Sequence, residues 1–61
     1  MSNPYDRAAV AAVLKAVGRL TAAELAKTLR WSRTRTRKAL IDLETAGQVT
    51  HDPDRSWEPL K

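Results

Sequence analysis

Basic side chains are concentrated in one short segment of the chain. No acidic residue lies between Leu25 and Ile41, and the bases there are Lys27, Arg30, Arg33, Arg35, Arg37 and Lys38. Guanidinium and ammonium groups at this density can neutralise phosphates, and an arginine can also pair with a guanine edge through two hydrogen bonds. A solvated helix face would explain the charge alone. The segment also carries Trp31, Ala39 and Leu40 and therefore belongs to the fold, and most of the acids follow it: Asp42, Glu44, Asp52, Asp54 and Glu58.

The composition restricts the classes of function. The chain has 61 residues, enough for one domain, with 11 Lys and Arg against 7 Asp and Glu, a net charge of +4 and a pI near 10.1. This balance favours a polyanionic partner. With no cysteine and one histidine, the sequence predicts no disulfide scaffold, thiol nucleophile or structural zinc. We therefore expect neither an enzyme nor a cofactor.

The chain carries no sign of a membrane partner. It has no run of about 18 apolar residues, the least that a membrane-spanning helix needs. Its first residues are polar, without the apolar segment of a secretory signal. These features predict a cytoplasmic location.

The apolar spacing predicts a first helix over residues 4–17. Asn3 suits the cap position, Pro4 suits the first helical position, and Gly18 follows the last apolar residue. The apolar stripe recurs at helical spacing and comprises Val10, Val13, Leu14 and Val17.

Two further helix starts follow. Thr21 and Glu24 have the spacing of a capping box, with Leu20 and Leu25 placed as a hydrophobic staple, and they predict a second helix over 22–29. Ser32 is the next cap and predicts a third helix over 33–46, closed by Gly47. The inner face of that helix is expected to be Thr36, Ala39, Leu40 and Leu43.

After Gly47 the apolar period changes to two and predicts a β-hairpin over about 48–58. Its strands are expected at 48–51 and 56–58, joined by a type I turn at 52–55 with Pro53 in the second position. Pro59 should stop the return strand or confine it to a sheet edge. The predicted fold class is mainly α with a small β-hairpin, in a single domain over 4–60.

These residues resemble the winged helix-turn-helix superfamily of bacterial repressors over 20–57, more than half of the chain. The resemblance rests on the capped segment 20–26, the Ser32-capped segment 32–40, and the pattern Leu43-Glu44-x-x-Gly47-x-Val49. Two positions depart from it. Arg30 stands where glycine is usual in the turn, which implies a left-handed arginine, and Thr36 stands where valine is common.

Narrower relatives differ in what they imply. The length and layout are similar to the DNA-reading terminal domain of FtsK-like translocases, including plasmid-transfer translocases. The layout also resembles Z-DNA-binding winged helices, with Trp57 in the wing. That subfamily pairs the wing tryptophan with an asparagine and a tyrosine, whose places are taken here by Arg37 and Ile41. We therefore expect no Z-DNA reading.

The superfamily resemblance implies that the third helix enters the major groove of double-stranded DNA. With its inner face turned to the core, Thr34, Lys38, Ile41 and Thr45 point outward, Arg37 and Arg35 lie on opposite flanks, and Arg33 projects from the first turn. Arg55 is the basic residue of the expected wing. The predicted DNA-binding residues are Arg30, Ser32, Arg33, Thr34, Arg35, Arg37, Lys38 and Arg55.

The tryptophans and the histidine are expected to have structural or surface positions rather than functional roles. We expect Trp31 to pack on the core, Trp57 to cover the inner face of the hairpin, and His51 to lie at the surface.

Several functions remain open at this stage. The leading hypothesis is a sequence-selective duplex-DNA-binding domain of a transcriptional, plasmid or phage regulator, or of a DNA-translocation system. A winged helix that binds another protein is disfavoured by the basic segment, because interface cores are depleted in charge. RNA binding is disfavoured by the lack of an aromatic stacking platform. A homodimer or a larger protein context is equally compatible with the sequence.

Overall fold

Three helices and a small antiparallel sheet make up the fold of this computed structural model, which describes residues 2–60. The elements in chain order are α1 Pro4–Val17, β1 Leu20–Thr21, α2 Ala22–Leu29, α3 Arg33–Thr45, β2 Val49–His51 and β3 Ser56–Pro59. The predicted fold class is confirmed. Helix α3 ends one residue earlier than predicted, because Ala46 is its cap residue.

The sheet has three strands rather than the two of the predicted hairpin. Its order is β1-β3-β2, with Leu20 opposite Trp57 and Thr21 opposite Ser56. The sequence analysis missed β1, because a strand of two residues shows no period of its own. It forms only where β3 offers a free edge.

Pro59 is the last residue of β3, so the return strand stops there, which is one of the two alternatives predicted. The other alternative, an edge strand, is excluded because β3 is the central strand. The proline is tolerated because β1 pairs only with Ser56 and Trp57 and has ended before Pro59 is reached. The Leu60 N–H donates to the Gln48 carbonyl at 2.9 Å, so the alternation of an antiparallel ladder turns the Pro59 nitrogen away from β2. The missing N–H therefore faces the side where no strand continues.

All three predicted N-caps are confirmed. The Asn3 side chain accepts from the Asp6 N–H at 2.7 Å, and the Ser32 hydroxyl accepts from the Arg35 N–H at 3.1 Å. The capping box of α2 is complete: the Thr21 N–H donates to the Glu24 carboxylate at 2.8 Å, and the Glu24 N–H donates to the Thr21 hydroxyl at 3.1 Å.

Helices α2 and α3 end with the same hydrogen-bond pattern. After α3, Gly47 adopts φ +77°, its N–H donates to the Glu44 carbonyl, and the Gln48 N–H donates to the Leu43 carbonyl, which is a Schellman motif. After α2 the left-handed position is held by Arg30, with φ 60° and ψ 39°, as the sequence implied.

The core lies between the helices and the sheet. The predicted inner face of α3 is confirmed, since Thr36, Ala39, Leu40 and Leu43 are all buried. The Thr36 hydroxyl donates to the Ser32 carbonyl at 3.0 Å, so its polar atom is satisfied within the helix. The buried apolar cluster comprises Val10, Leu14, Ala22, Leu25, Ala39, Leu40, Leu43, Val49 and Trp57.

Replacing Thr21 by alanine should destabilise the domain by about 0.5–2 kcal/mol, because one N-terminal N–H of α2 loses its acceptor. The free energy of unfolding from denaturant titration measures the loss. Thr21→Ser keeps the hydroxyl and should recover most of the stability. An alanine variant as stable as the wild type would show that the capping box does not hold α2.

Candidate nucleic-acid interface

A groove runs between α3 and the wing, defined here as β2, β3 and the turn at 52–55. Arg33 and Arg37 line it from α3, where they lie one turn apart and so share a flank. Arg55 lines it from the wing turn. The groove has a volume of about 750 Å³, and its remaining lining residues are Thr21, Ala22, Ala23, Ile41, Glu44, His51, Asp54 and Trp57. We call it the α3–wing groove.

The other predicted residues of α3 lie outside this groove. Thr34, Arg35 and Lys38 line a shallow depression beside the start of α1, together with Ser32. Arg30 is exposed in the α2–α3 turn. The structure thus brings Arg33, Arg37 and Arg55 together and places the other predicted residues around or beyond the start of α3.

Most basic side chains of this surface have no acidic partner. Within residues 2–60, no carboxylate is paired with Lys27, Arg30, Arg33, Arg37, Lys38 or Arg55. Their charges are therefore available to an external anion.

The acids of the wing are engaged by the protein itself. Arg19 pairs with Asp52 and with Glu58 at 3.1 Å. The Asp54 carboxylate accepts from the Ser56 hydroxyl at 2.6 Å and from the Ser56 N–H at 3.0 Å. These two hydrogen bonds lower the pKa of Asp54. The negative charge that flanks Arg55 in the sequence is thus partly compensated, although Asp54 still lines the groove.

Both exposed arginines at the turns adopt a left-handed backbone. The φ values of Arg30 and Arg55 are 60° and 73°, a region that costs a residue with a side chain about 1–2 kcal/mol. In the wing the Arg55 N–H donates to the Asp52 carbonyl at 2.9 Å, which closes the predicted turn.

Glu44, an acid that follows the basic segment in the sequence, lies in the groove. Glu44 pairs with His51, with 2.5 Å between Oε2 and Nδ1. The spacing could have revealed this, because Glu44 follows Arg37 by two helical turns and lies on the same flank. His51 is exposed as expected, and its ring centroid lies 4.9 Å from that of Trp57. Trp57 is 8% exposed and belongs to the core, as predicted.

Arg35 differs from the other arginines of α3 because it has a partner. Its Nε and Nη2 donate to the two carboxylate oxygens of Asp6 at 3.0 and 2.8 Å. Its guanidinium carbon lies 4.0 Å from the centroid of the Trp31 ring, a cation–π geometry. Trp31 is half-buried against the core, as expected. The hydrogen bond from Arg35 lowers the pKa of Asp6. The hydrogen bond to Asp6 likewise raises the pKa of Arg35.

No protein-family model matches the chain, and no curated protein does so. Solved structures share its fold, among them the following two. The Zalpha domain of ORF112 from cyprinid herpesvirus 3, described in its binding mode to Z-DNA, has a TM-score of 0.89 and 18% identity, with 98% of this chain and 100% of that chain covered. TrmBL2, an archaeal chromatin protein described with a novel mode of DNA binding, has a TM-score of 0.84 and 30% identity. That match covers 97% of this chain and 24% of the archaeal chain.

The chain therefore spans about a quarter of the length of the archaeal protein. These likenesses and the element order establish a winged helix-turn-helix fold. In the described part of the chain, no cluster of His, Cys, Asp and Glu could hold a metal ion. No helix there is long and apolar enough to cross a bilayer.

The Asp6–Arg35 pair should make stability fall in acid. Because the folded-state pKa of Asp6 is lowered, the pair stabilises the fold fully above the unfolded pKa of about 3.9. That stabilisation is lost as the pH falls below this value and through the lower folded pKa. Denaturant titrations at about pH 5 and about pH 2 should show a smaller loss of stability for Asp6→Asn than for the wild type. Equal losses would mean that the pair does not contribute.

Proposed function

We propose that this domain binds double-stranded DNA, with α3 in the major groove and the wing against the adjacent backbone, and that it is a binding module rather than an enzyme. One observation carries the proposal: Arg33, Arg37 and Arg55 line the α3–wing groove without an acidic partner within residues 2–60. Arg30 and Lys38 are exposed outside this groove, and Arg19 pairs with two of the wing acids. Unpaired cations on a winged helix suit a ligand that carries regularly spaced negative charge. The two DNA-binding proteins that share the fold support the same assignment.

The positions of the side chains suggest separate roles. Arg33 and Arg37 project from the first turns of α3, the part that enters the major groove in helix-turn-helix docking. Either can pair with guanine O6 and N7, and the exposed Ile41 can contact a thymine methyl group. Ser32, Thr34 and Lys38 are placed for phosphates near the helix start, and Arg30 and Arg55 for phosphates at its two sides.

The backbone strain at Arg30 supports a functional role. A left-handed turn position normally favours glycine. Arginine there destabilises the fold, and such strain is typically retained where the side chain has a function. The same argument applies to Arg55, which has φ 73°. Both positions flank the surface that carries the unpaired bases.

The proposed DNA form is the right-handed duplex. The likeness to the Zalpha domain is a likeness of fold. Arg37 and Ile41 replace the asparagine and tyrosine that Z-DNA-binding winged helices pair with the wing tryptophan, and Trp57 is buried beneath His51. Arginine and isoleucine suit base edges in a major groove.

We further propose sequence selectivity, through Arg33 and Arg37, and a cytoplasmic role in transcriptional or plasmid regulation or in DNA-translocation targeting. The duplex-DNA function is the common premise of these roles. A protein-binding or RNA-binding winged helix is the alternative that the following experiments separate from it.

DNA affinity should depend steeply on salt. Five unpaired basic side chains at the interface, those of Arg30, Arg33, Arg37, Lys38 and Arg55, should together release counterions from the duplex and give a slope of log K against log salt of roughly −4 to −5 on B-DNA. Fluorescence anisotropy with a duplex of random sequence measures the slope, and a single-stranded RNA of the same length is the comparison. Arg37→Ala should weaken binding by roughly 1–3 kcal/mol and relax the preference at one base position.

Lys15→Ala is the matched control, because it removes the same charge from the groove between α1 and the end of β3. It should leave the affinity for DNA nearly unchanged. Equal effects of the two substitutions would mean that net charge alone attracts DNA. Binding insensitive to salt would contradict the proposal, and circular dichroism that inverts on an alternating CG duplex would assign Z-DNA instead.

Arg30→Gly should stabilise the fold and weaken DNA binding together. Glycine relieves the left-handed strain of about 1–2 kcal/mol, offset by its greater unfolded-state entropy of about 0.4–1 kcal/mol. The salt slope should become shallower by about 1, with base preferences unchanged. Arg30→Ala should make the salt slope shallower by the same amount, but without the gain in melting temperature. A glycine variant that bound DNA as tightly as the wild type would remove Arg30 from the interface.

A further inference from the structure

We propose that Arg35, which lies inside the basic run, is a positioning residue of α3 and not a DNA ligand: Asp6 and Trp31 hold its guanidinium against α1 and the α2–α3 turn. The inference rests on the proposed DNA-binding function and divides the arginines of α3 into two roles. Arg33 and Arg37 bind DNA, and Arg35 fixes the helix that carries them.

The geometry of α3 separates these arginines. Residues two apart on a helix do not share a face, so Arg35 lies on the flank opposite Arg33 and Arg37. That flank faces the first turn of α1, and the other faces the wing. The basic run of the sequence is thus split by the helix into two surfaces.

The burial of Asp6 makes the pair difficult to open. Asp6 is 5% exposed, and the hydrogen bonds to its carboxylate oxygens come from Arg35 in a bidentate arrangement. If Arg35 swung out to a phosphate, a buried carboxylate would be left without its compensating charge, which is strongly unfavourable. Arg33 and Arg37 have no such partner within residues 2–60 and can bind an anion without breaking an ion pair.

Trp31 adds a second restraint on the same group. The guanidinium stacks over the indole at 4.0 Å, and Trp31 itself packs against the core. Arg35, the third residue of α3, therefore connects that helix to the start of α1 and to the α2–α3 turn. These are the three segments whose relative placement sets the direction in which α3 presents its first turn.

The experiment measures the salt slope of DNA affinity for Arg35→Gln, Asp6→Asn and the double variant, with Arg37→Gln for comparison. Arg35→Gln should keep the wild-type slope. Arg37→Gln should make the slope shallower by about 0.9, the contribution of one interface cation whose binding releases a counterion from B-DNA. Asp6→Asn frees the charge of Arg35 and should steepen the slope, and the double variant should return it to the wild-type value. A slope for Arg35→Gln as shallow as that for Arg37→Gln would overturn the proposal.

Arg35→Lys tests positioning directly, because lysine can serve a phosphate as a point charge but cannot form the bidentate fork. It should relax base preferences at the positions read by Arg33 and Arg37 while the salt slope stays unchanged. Wild-type base preferences in the Arg35→Lys variant would contradict a positioning role.

A readout without DNA separates this proposal from the DNA-binding function. The indole N–H resonance of Trp31 should shift in both Arg35→Gln and Asp6→Asn, and it should stay in place in Arg37→Gln. Unshifted resonances in the first two would show that the cluster does not hold Arg35. A wild-type protein that bound no duplex at low salt would instead refute the proposed function while leaving this test intact.

Discussion

Burial of one face of α3 is the constraint on which the rest of the molecule depends. Thr36, Ala39, Leu40 and Leu43 must face the core, and this fixes the direction of every other side chain on the helix. Thr34 and Lys38 then point outward, Arg33 and Arg37 face the wing, and Arg35 faces α1. A cluster of bases that is continuous in sequence becomes two surfaces with different surroundings.

Those surroundings decide what each charge can do. Arg35 and Arg19 form ion pairs within the fold. Arg35 pairs with the buried Asp6, and Arg19 pairs with Asp52 and Glu58 of the wing. Each internal pair has a consequence for the proposed interface: the first holds α3 in place, and the second reduces the repulsion that wing acids would exert on a phosphate. Arg33, Arg37 and Arg55 remain unpaired in the α3–wing groove, and Arg30 and Lys38 lie exposed outside it. Net charge alone does not show this division, because it counts basic side chains equally whether or not they form ion pairs.

The sequence predicted most of the fold because its signals are local. Capping residues, a 3.6-residue apolar period and the position of Gly47 located the helices to within one residue. The left-handed Arg30 followed from the resemblance to a turn that normally contains glycine. Strand β1 was missed because its existence depends on an edge of β3 supplied more than 30 positions later in the chain.

The candidate site was predicted less completely, for a related reason. The helical wheel separated Arg35 from Arg37. It could not show that Asp6, which lies in another helix, forms an ion pair with Arg35. Likewise, nothing near Arg19 in the sequence points to Asp52 and Glu58 as its partners. Tertiary ion pairs carry no local signal. The position of Glu44 is different, because its two-turn spacing from Arg37 would have sufficed to predict that it lies on the groove side.

The central claim is that one surface, formed by the α2–α3 turn, the first turns of α3 and the wing, binds the DNA duplex. Amide chemical-shift mapping during titration with a B-form duplex tests it most directly. The account predicts shifts concentrated at residues 30–38 and around Arg55, with little change at Ala8, Ala11 and Gln48 on the other side of the molecule. Shifts concentrated on that other side, or none at low salt, would contradict it.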